Sequence, residues 1–520
     1  MTEGNGEVRE LPKGWSWSKL GFIRIDDGKG INPSQYPKEE FELYSVPSFS
    51  EGKPEFVEGG NIGSNKQIVE PDTVLLCKIN PRINRVWIVG DFSKKRKIAS
   101  TEWILFPKCN DINAKYLCYF LQNQTFRNFL SLNVSGVGGS LMRTKPSAIH
   151  SYPFPIAPLK EQERMVEKVE EILSDLDQGV ESLRTAQKQL KVYRQAVLKW
   201  AFEGKLTEAW RSQQPTLKTG EALLAQIKAE RENRYQQRLA EWEEKVREWE
   251  AIGNKSAKKP TKPSKSKDLP PLTKAELTEL PKLPDQWCWV KLGEITEVSG
   301  GLTKNSKKNV SNFKLPYLRV ANVYANRLKL DEIFEISLEE KEVERVLLKQ
   351  NDLLIVEGNG SVDQIGRVAI WNERISPCVH QNHLIKARPY ESLNVKFVLY
   401  FLLSPQGREL IKREAGSTSG LYTLSLSKVE NLKIPLSPQK EQEQIVEEIE
   451  SRLSICDQLE ATITENLQKA EALRQSILKQ AFEGKLVPQD PNDEPAEKLL
   501  ERIRAERQEK EPQKTSKPLR

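Results

Sequence analysis

At 520 residues, with 29% charged side chains and a mean hydropathy of −0.59, the chain has room for roughly two to four domains. It contains no run of apolar residues long enough to cross a bilayer. A net charge of +7 permits nucleic-acid binding by a localised face without requiring it. The six cysteines (Cys77, Cys109, Cys118, Cys288, Cys378, Cys456) never fall as Cys-x-x-Cys and read as free thiols of a reducing compartment. Met1-Thr2-Glu3-Gly4 begins no signal-peptide pattern, so a cytoplasmic location is expected.

Residues 1–157 form the first expected domain. Leu11-Pro12-Lys13-Gly14-Trp15-Ser16-Trp17-Ser18-Lys19-Leu20-Gly21 opens it. Strand-like runs follow at 73–79, 85–89 and 102–106, then a helix over 114–130 and a Gly/Ser-rich stretch, Ser135-Gly136-Val137-Gly138-Gly139-Ser140.

Residues 158–206 read as one long helix. Counting heptads from Val166, the d positions are Val169, Leu176, Leu183, Leu190 and Val197; the a positions are Val166, Leu173, Val180, Gln187, Arg194 and Ala201. Such a seam must be buried, either on the neighbouring domain or against a second helix. Gly204 fits a left-handed helix stop.

Residues 207–280 hold a polar helix over 219–249 and a Lys/Pro/Ser linker, 255–267, that reads as a mobile solvated spacer. A second domain, 281–436, begins with Leu283-Pro284-Asp285-Gln286-Trp287-Cys288-Trp289-Val290-Lys291-Leu292-Gly293. Strands are expected at 352–356, 367–371 and 384–387, a helix at 394–415, then Gly416-Ser417-Thr418-Ser419-Gly420. Residues 437–486 repeat the long helix, with Ser437 as expected N-cap, Pro438 in the first turn and Gly484 as stop. Residues 487–520 read as a further helix and, from Gln508, a disordered tail.

The chain is therefore a duplication. Lys160-Glu161-Gln162-Glu163 returns as Lys440-Glu441-Gln442-Glu443, and Ala201-Phe202-Glu203-Gly204-Lys205-Leu206 returns as Ala481-Phe482-Glu483-Gly484-Lys485-Leu486, each 280 positions later. The edges of the two domains match while their middles diverge, as a common scaffold with different recognition surfaces would. The expected fold class is α+β or α/β: two duplicated domains separated by two long helices.

These doubled openings and closings, with the Leu-Pro-x-x-Trp-x-Trp-x-x-Leu-Gly start of each domain, resemble the specificity subunit of type I restriction-modification enzymes. The resemblance covers residues 11–508. It implies two target-recognition domains, each reading half of a bipartite double-stranded DNA site in the major groove. It implies an antiparallel coiled coil of the two long helices, in pseudo-twofold symmetry, that sets the half-site spacing. A run of ~42 helical residues is ~63 Å at 1.5 Å rise, and modules on one side of B-DNA sit whole turns apart. It further implies two modification (adenine methyltransferase) subunits and restriction/translocase subunits as partners, with no membrane. S-adenosylmethionine, ATP and Mg2+ would belong to those partners and none to this chain. The segment 207–280 is longer than a minimal member needs.

Sequence readout requires bidentate side chains on exposed loops. In the first domain Lys78, Asn80, Arg82, Asn84 and Arg85 meet this description, with Ser140 and Arg143 beside the Gly-rich stretch. In the second, Asn359, Ser361, Gln364 and Arg367 occupy the corresponding place, with Ser417 and Tyr422 nearby and Lys304, Lys307 and Lys308 as phosphate partners. The same asparagines and glycines also suit an ordinary polar turn. His380 and His383 lack further ligands nearby, which favours a turn or core role over a metal site.

No strand-borne G-x-G-x-x-G, no G-x-x-x-x-G-K-[ST] and no adenine-methyltransferase loop is present; Asn32-Pro33-Ser34-Gln35-Tyr36 is not that loop. Catalysis is therefore expected in partner chains. A fused restriction-methylation enzyme and a coiled-coil scaffold without DNA are the alternatives.

Overall fold

The computed structural model describes residues 10–23, 29–135, 142–251, 259–265, 268–303, 313–418 and 420–510. The chain divides into two compact units, one of residues 1–185 with 463–520 and the other of 186–462. Each long helix, Leu159–Phe202 and Gln439–Phe482, thus gives its N-terminal part to one unit and its C-terminal part to the other.

The first unit carries a five-stranded sheet in the order Gly30–Ile31, Lys66–Ile68, Lys97–Ser100, Glu40–Tyr44, Glu55–Glu58. A three-stranded sheet places Val74–Cys77 between Val86–Ile88 and Trp103–Phe106. Ser16–Lys19 pairs antiparallel with Pro153–Ile156, tying the start of the domain to its end. In the second unit a four-stranded sheet runs Thr296–Gly300, Leu384–Pro389, Leu353–Val356, Val368–Ile370. There Cys288–Lys291 pairs with Lys433–Leu436 in the register of the first unit, Trp289 opposite Pro435 as Trp17 is opposite Pro155.

Each domain has two helices where the sequence suggested one. Ala114–Gln122 is followed by Gln124–Leu132, and Val395–Leu403 by Pro405–Glu414. The breaks have a local cause. Asn123 turns extended and its side chain accepts from Phe126 N at 2.9 Å, and Ser404 does the same for Gly407 N at 3.1 Å ahead of Pro405. A short polar side chain ends one helix and caps the next.

The doubled motifs have structural work that depends on distant partners. Gln162, fully buried, accepts from Asn113 N at 2.9 Å and donates to Ala157 O at 2.8 Å. Gln442 repeats both bonds, with Asn394 N at 3.1 Å and Ser437 O at 2.9 Å. Each thereby fixes an N-cap, Asn113 of Ala114–Gln122 or Asn394 of Val395–Leu403, to the start of a long helix. The Ser437 hydroxyl makes no hydrogen bond among the described residues, so it is not the cap the sequence suggested; only its carbonyl is bound, by the Gln442 amide. Gly204 and Gly484 are left-handed at φ +71 and +66, as expected, and a Cβ on them would fall 2.4 and 2.3 Å from Pro284 and Pro12.

Phe482 packs on Tyr116 and Phe120 with ring centroids at 5.1 and 5.2 Å, and Phe202 on Phe397 and Phe401, both at 5.2 Å. Each domain is therefore closed by the C-terminal end of the long helix that begins after the other domain. In the first unit Val166, Val169 and Leu173 share a core with Ile477, Leu478 and Ala481, while Asp177 meets Arg474. In the second, Val197 and Ala201 share one with Val446 and Ile449, while Arg194 meets Asp457. Rising numbers on one helix meet falling numbers on the other, so the helices pair antiparallel within each unit, and each also packs on a domain. The arginines at seam positions, Arg194 and Arg474, find charged partners.

The polar segment after each long helix also returns to a domain. Leu223 and Ile227 of Gly220–Ala251 enter the second unit's core; Leu499, Leu500 and Ile503 of Ala496–Lys510 enter the first's. Residues 511–520, where most of the expected tail falls, lie outside the described residues. In the linker, residues 259–265 are not a free spacer. Trp242 Nε1 donates to Pro260 O at 3.0 Å, and Lys265, Lys262 and Lys259 lie over Tyr235, Trp242 and Trp249 at 5.7, 5.7 and 5.9 Å. An extended Lys/Pro segment with a lysine every third residue matches aromatics spaced every seventh on the helix, because ~9 Å per three extended residues approximates the ~10.5 Å of seven helical ones.

Candidate nucleic-acid interface

In the first unit two segments far apart in sequence converge. Ile79 bridges to Arg143, Asn80 N donates to Met142 O at 2.9 Å, and Thr144 N donates to Lys78 O at 2.9 Å. The Lys78–Arg85 segment and the hairpin of Val134–Ser135 with Arg143–Thr144 therefore form one surface, joined by the helix Gln124–Leu132, whose Leu130 O accepts from Thr144 Oγ1 at 3.4 Å. Asn80 and Asn84 are both left-handed, at φ 47 and 42, a conformation asparagine adopts more readily than most residues.

The individual side chains are not equally available. Asn84 Nδ2 donates to Leu121 O at 3.0 Å and Lys78 Nζ to Thr101 O at 2.6 Å. Arg143 forms a bidentate pair with Glu102 at 2.9 and 3.1 Å, which holds the Glu102 carboxyl below its usual range. Arg85 is half-buried, and Arg82 is exposed on the short turn Pro81–Ile83. Ser140 lies outside the described residues.

In the second unit Gly358–Asn359 pairs with Leu421–Thr423, which pairs with Gly416–Thr418, so Asn359 and Ser417 both stand opposite Tyr422 in register. Asn359 Oδ1 accepts from Ser361 N at 2.9 Å, and Gln364 is exposed. The loop is stapled below: Lys412 binds Asp363 at 2.6 Å and Arg408 donates to Asp363 O at 3.1 Å. Arg367 lies over Tyr324 at 5.2 Å, and Arg327 over the same ring at 5.3 Å. Lys304, Lys307 and Lys308 lie outside the described residues.

Tyr324 and Arg327 precede the loop by some forty residues in sequence. Asn326 N donates to Val368 O at 2.9 Å, which brings their strands alongside the sheet. Ile83, an aliphatic side chain beside Arg82, is 51% exposed.

His380 is fully buried with Nδ1 at 2.9 Å from Val346 O. Burial, then Lys386, lowers its pKa to about 3. His383 is exposed, with Nδ1 at 3.0 Å from Glu357. The two rings serve different partners.

Two copies of one α/β framework, each clasped by a pair of long helices and each presenting a polar loop surface of its own, make this a duplicated α/β protein. Residues 284–469 match the family model of the type I restriction modification DNA specificity domain. It is similar to the type I restriction enzyme EcoKI specificity subunit of Escherichia coli K12, at 26% identity over 75% of this chain and 71% of that one. The EcoDI specificity subunit of Escherichia coli aligns at 22% identity over 96% of both. A chain from a structure of a type I R-M system superposes with TM-score 0.63 and 19% identity, over 92% of this chain and all of that one, which shows a shared fold. Among the described residues no helix is long and apolar enough to cross a membrane.

Proposed function

We propose that this chain is the DNA-recognition subunit of a type I restriction-modification complex, each α/β domain reading one half of a bipartite site in the major groove. The observation that carries the reading is the pairing of sameness with difference. The buried clasp residues (Gln162 and Gln442, Phe202 and Phe482) make matching contacts twice, while the loops at corresponding positions differ residue by residue. A scaffold serving two unlike half-sites requires that combination.

In this reading the helices, 44 residues each and so about 66 Å long, set the spacing of the half-sites. Val192, Trp200, Ile455 and Leu459, large apolar side chains left exposed on them, supply part of the surface on which two modification subunits dock. Methylation and cleavage are done by those subunits and by restriction/translocase subunits, which bring S-adenosylmethionine, ATP and Mg2+. The complex works in the cytoplasm, and this chain contributes no catalytic group.

Fluorescence titration of the assembled complex on duplexes altered one base pair at a time tests this. Arg82→Ala and Arg367→Ala should each lose ~1–3 kcal/mol at one base position in one half-site, whereas loss of a phosphate-contacting lysine weakens all sequences alike and flattens the salt dependence. Equal binding to matched and mismatched duplexes overturns the reading. Tight binding of S-adenosylmethionine to the lone chain in equilibrium dialysis overturns the assignment of catalysis to partners.

A further inference from the structure

We infer that Ile83 is a base-reading residue, which places its aliphatic side chain against the C5-methyl group of a thymine in the half-site read by the first domain. The inference rests on the DNA-reading assignment above and adds a residue and a base to it.

The turn that carries Ile83 is fixed at both ends. Asn80 N is bound to Met142 O at 2.9 Å, and Asn84 Nδ2 to Leu121 O at 3.0 Å. Both asparagines hold left-handed backbone, which asparagine adopts more readily than most non-glycine residues. Between these anchors Pro81 is buried and the chain turns outward at Arg82 and Ile83. A braced turn of this kind presents its side chains in a set orientation, as a reader must.

What it presents is a cation and a branched aliphatic group side by side. Ile83 is 51% exposed and Leu132, at the end of the helix whose Leu130 holds the adjoining hairpin, is 83% exposed. The major groove offers one apolar feature, the thymine methyl, and on a neighbouring base pair it faces the same groove as the guanine O6 and N7 atoms that an arginine grips. An Arg82–Ile83 pair therefore suits a guanine with a neighbouring thymine. Polar readers alone cannot distinguish thymine from uracil; an aliphatic one does so by the methyl it buries.

The test uses the assembled complex and its mapped site, with each thymine of the first half-site replaced singly by deoxyuridine, which removes one methyl and nothing else. For the unaltered protein, one position should weaken binding about fourfold, the transfer value of one buried carbon. Ile83→Ala should lose a similar factor on the thymine duplex and become indifferent to uracil at that position. Ile83→Val should retain most of the discrimination. Because Ile83 is exposed, an unchanged melting temperature shows that the variant folds. Indifference of the unaltered protein to every replacement, an Ile83→Ala variant that still discriminates, or a half-site without thymine overturns the inference while leaving DNA reading intact. Absence of any sequence preference overturns the DNA reading itself.

Discussion

Arg194 donates to Asp457 at 2.6 Å and to Glu460 at 2.9 Å, and 280 positions later Arg474 makes the same pair with Asp177. Each arginine occupies a seam position where an apolar residue would otherwise pack. Arg194 keeps 23% of its side chain exposed and Asp457 72%, so solvent screens the pair. A double-mutant cycle on Arg194→Ala and Asp457→Ala should give a coupling of ~0.2–1 kcal/mol that shrinks with added salt. Arg194→Leu should be neutral or stabilising in urea unfolding, since the hydrophobic replacement needs no partner. A coupling well above that range would show that the pair is desolvated.

Glu441 and Glu161 are duplicates with unequal partners, and this predicts unequal substitutions. Glu441, fully buried, accepts from Arg211 Nη1 at 2.6 Å, Thr207 Oγ1 at 2.7 Å and Trp287 Nε1 at 2.8 Å. Its removal in Glu441→Ala strands a half-buried guanidinium and should cost ~3–5 kcal/mol. Glu161 accepts from Gln489 at 3.2 Å, and burial raises its pKa. A carboxyl raised above its unfolded value favours the folded state on acidification and opposes it at neutral pH. Glu161→Gln should therefore be neutral or stabilising at pH 7, where Glu441→Gln destabilises. Thermal melts of the two variants decide it.

His380 should make the protein acid-sensitive. Its folded pKa of about 3 lies below the ordinary 6.5, so between these values the unfolded chain takes a proton the folded chain refuses. The stability this contributes is full above about pH 6.5 and falls as pH drops toward 3. Lys386, Arg345 and Arg388 all bear on the ring and oppose its protonation. His380→Phe should flatten the acid limb of a stability–pH curve while losing ~1 kcal/mol at neutral pH with the Val346 bond. An unchanged acid slope would assign it to other groups.

The segment 259–265 should resist non-specific proteolysis, unlike a free Lys/Pro linker. Each lysine over an aromatic ring contributes ~0.5–1 kcal/mol at an exposed site, and the Trp242–Pro260 hydrogen bond adds to them. Trp242→Ala should expose the segment to proteinase K and leave Gly220–Ala251 helical by circular dichroism. Equal cleavage of both proteins would mean that the segment detaches in solution.

Local pattern was readable and distant partnership was not. The heptad positions Val169 and Val197 announced a seam and Gly204 and Gly484 announced helix ends, because periodicity and left-handed backbone act within a few residues. The splitting of each domain helix was missed, since Asn123 and Ser404 look like helix interior until the chain is seen to turn there. The tasks of Gln162 and Gln442 require a backbone amide nearly fifty residues upstream. At the loops, residue type does not tell which side chains are already bound within the fold. Asn84 and Lys78 are bound to backbone carbonyls and Arg143 to a carboxylate, none of which composition reveals. The linker misled because a Lys/Pro run reads as solvated unless the aromatic spacing of the facing helix is counted.

The way Phe482 closes the first domain has a consequence for synthesis on the ribosome. Tyr116, Phe120 and Phe154 are translated long before the ring that covers them. Roughly 330 residues at ~5–20 per second is about 15–65 s of waiting with an open aromatic pocket. The second domain meets no such delay, for Phe202 has already emerged when Phe397 and Phe401 arrive. Identical clasps thus give the nascent chain one vulnerable half and one protected half, decided by gene order alone.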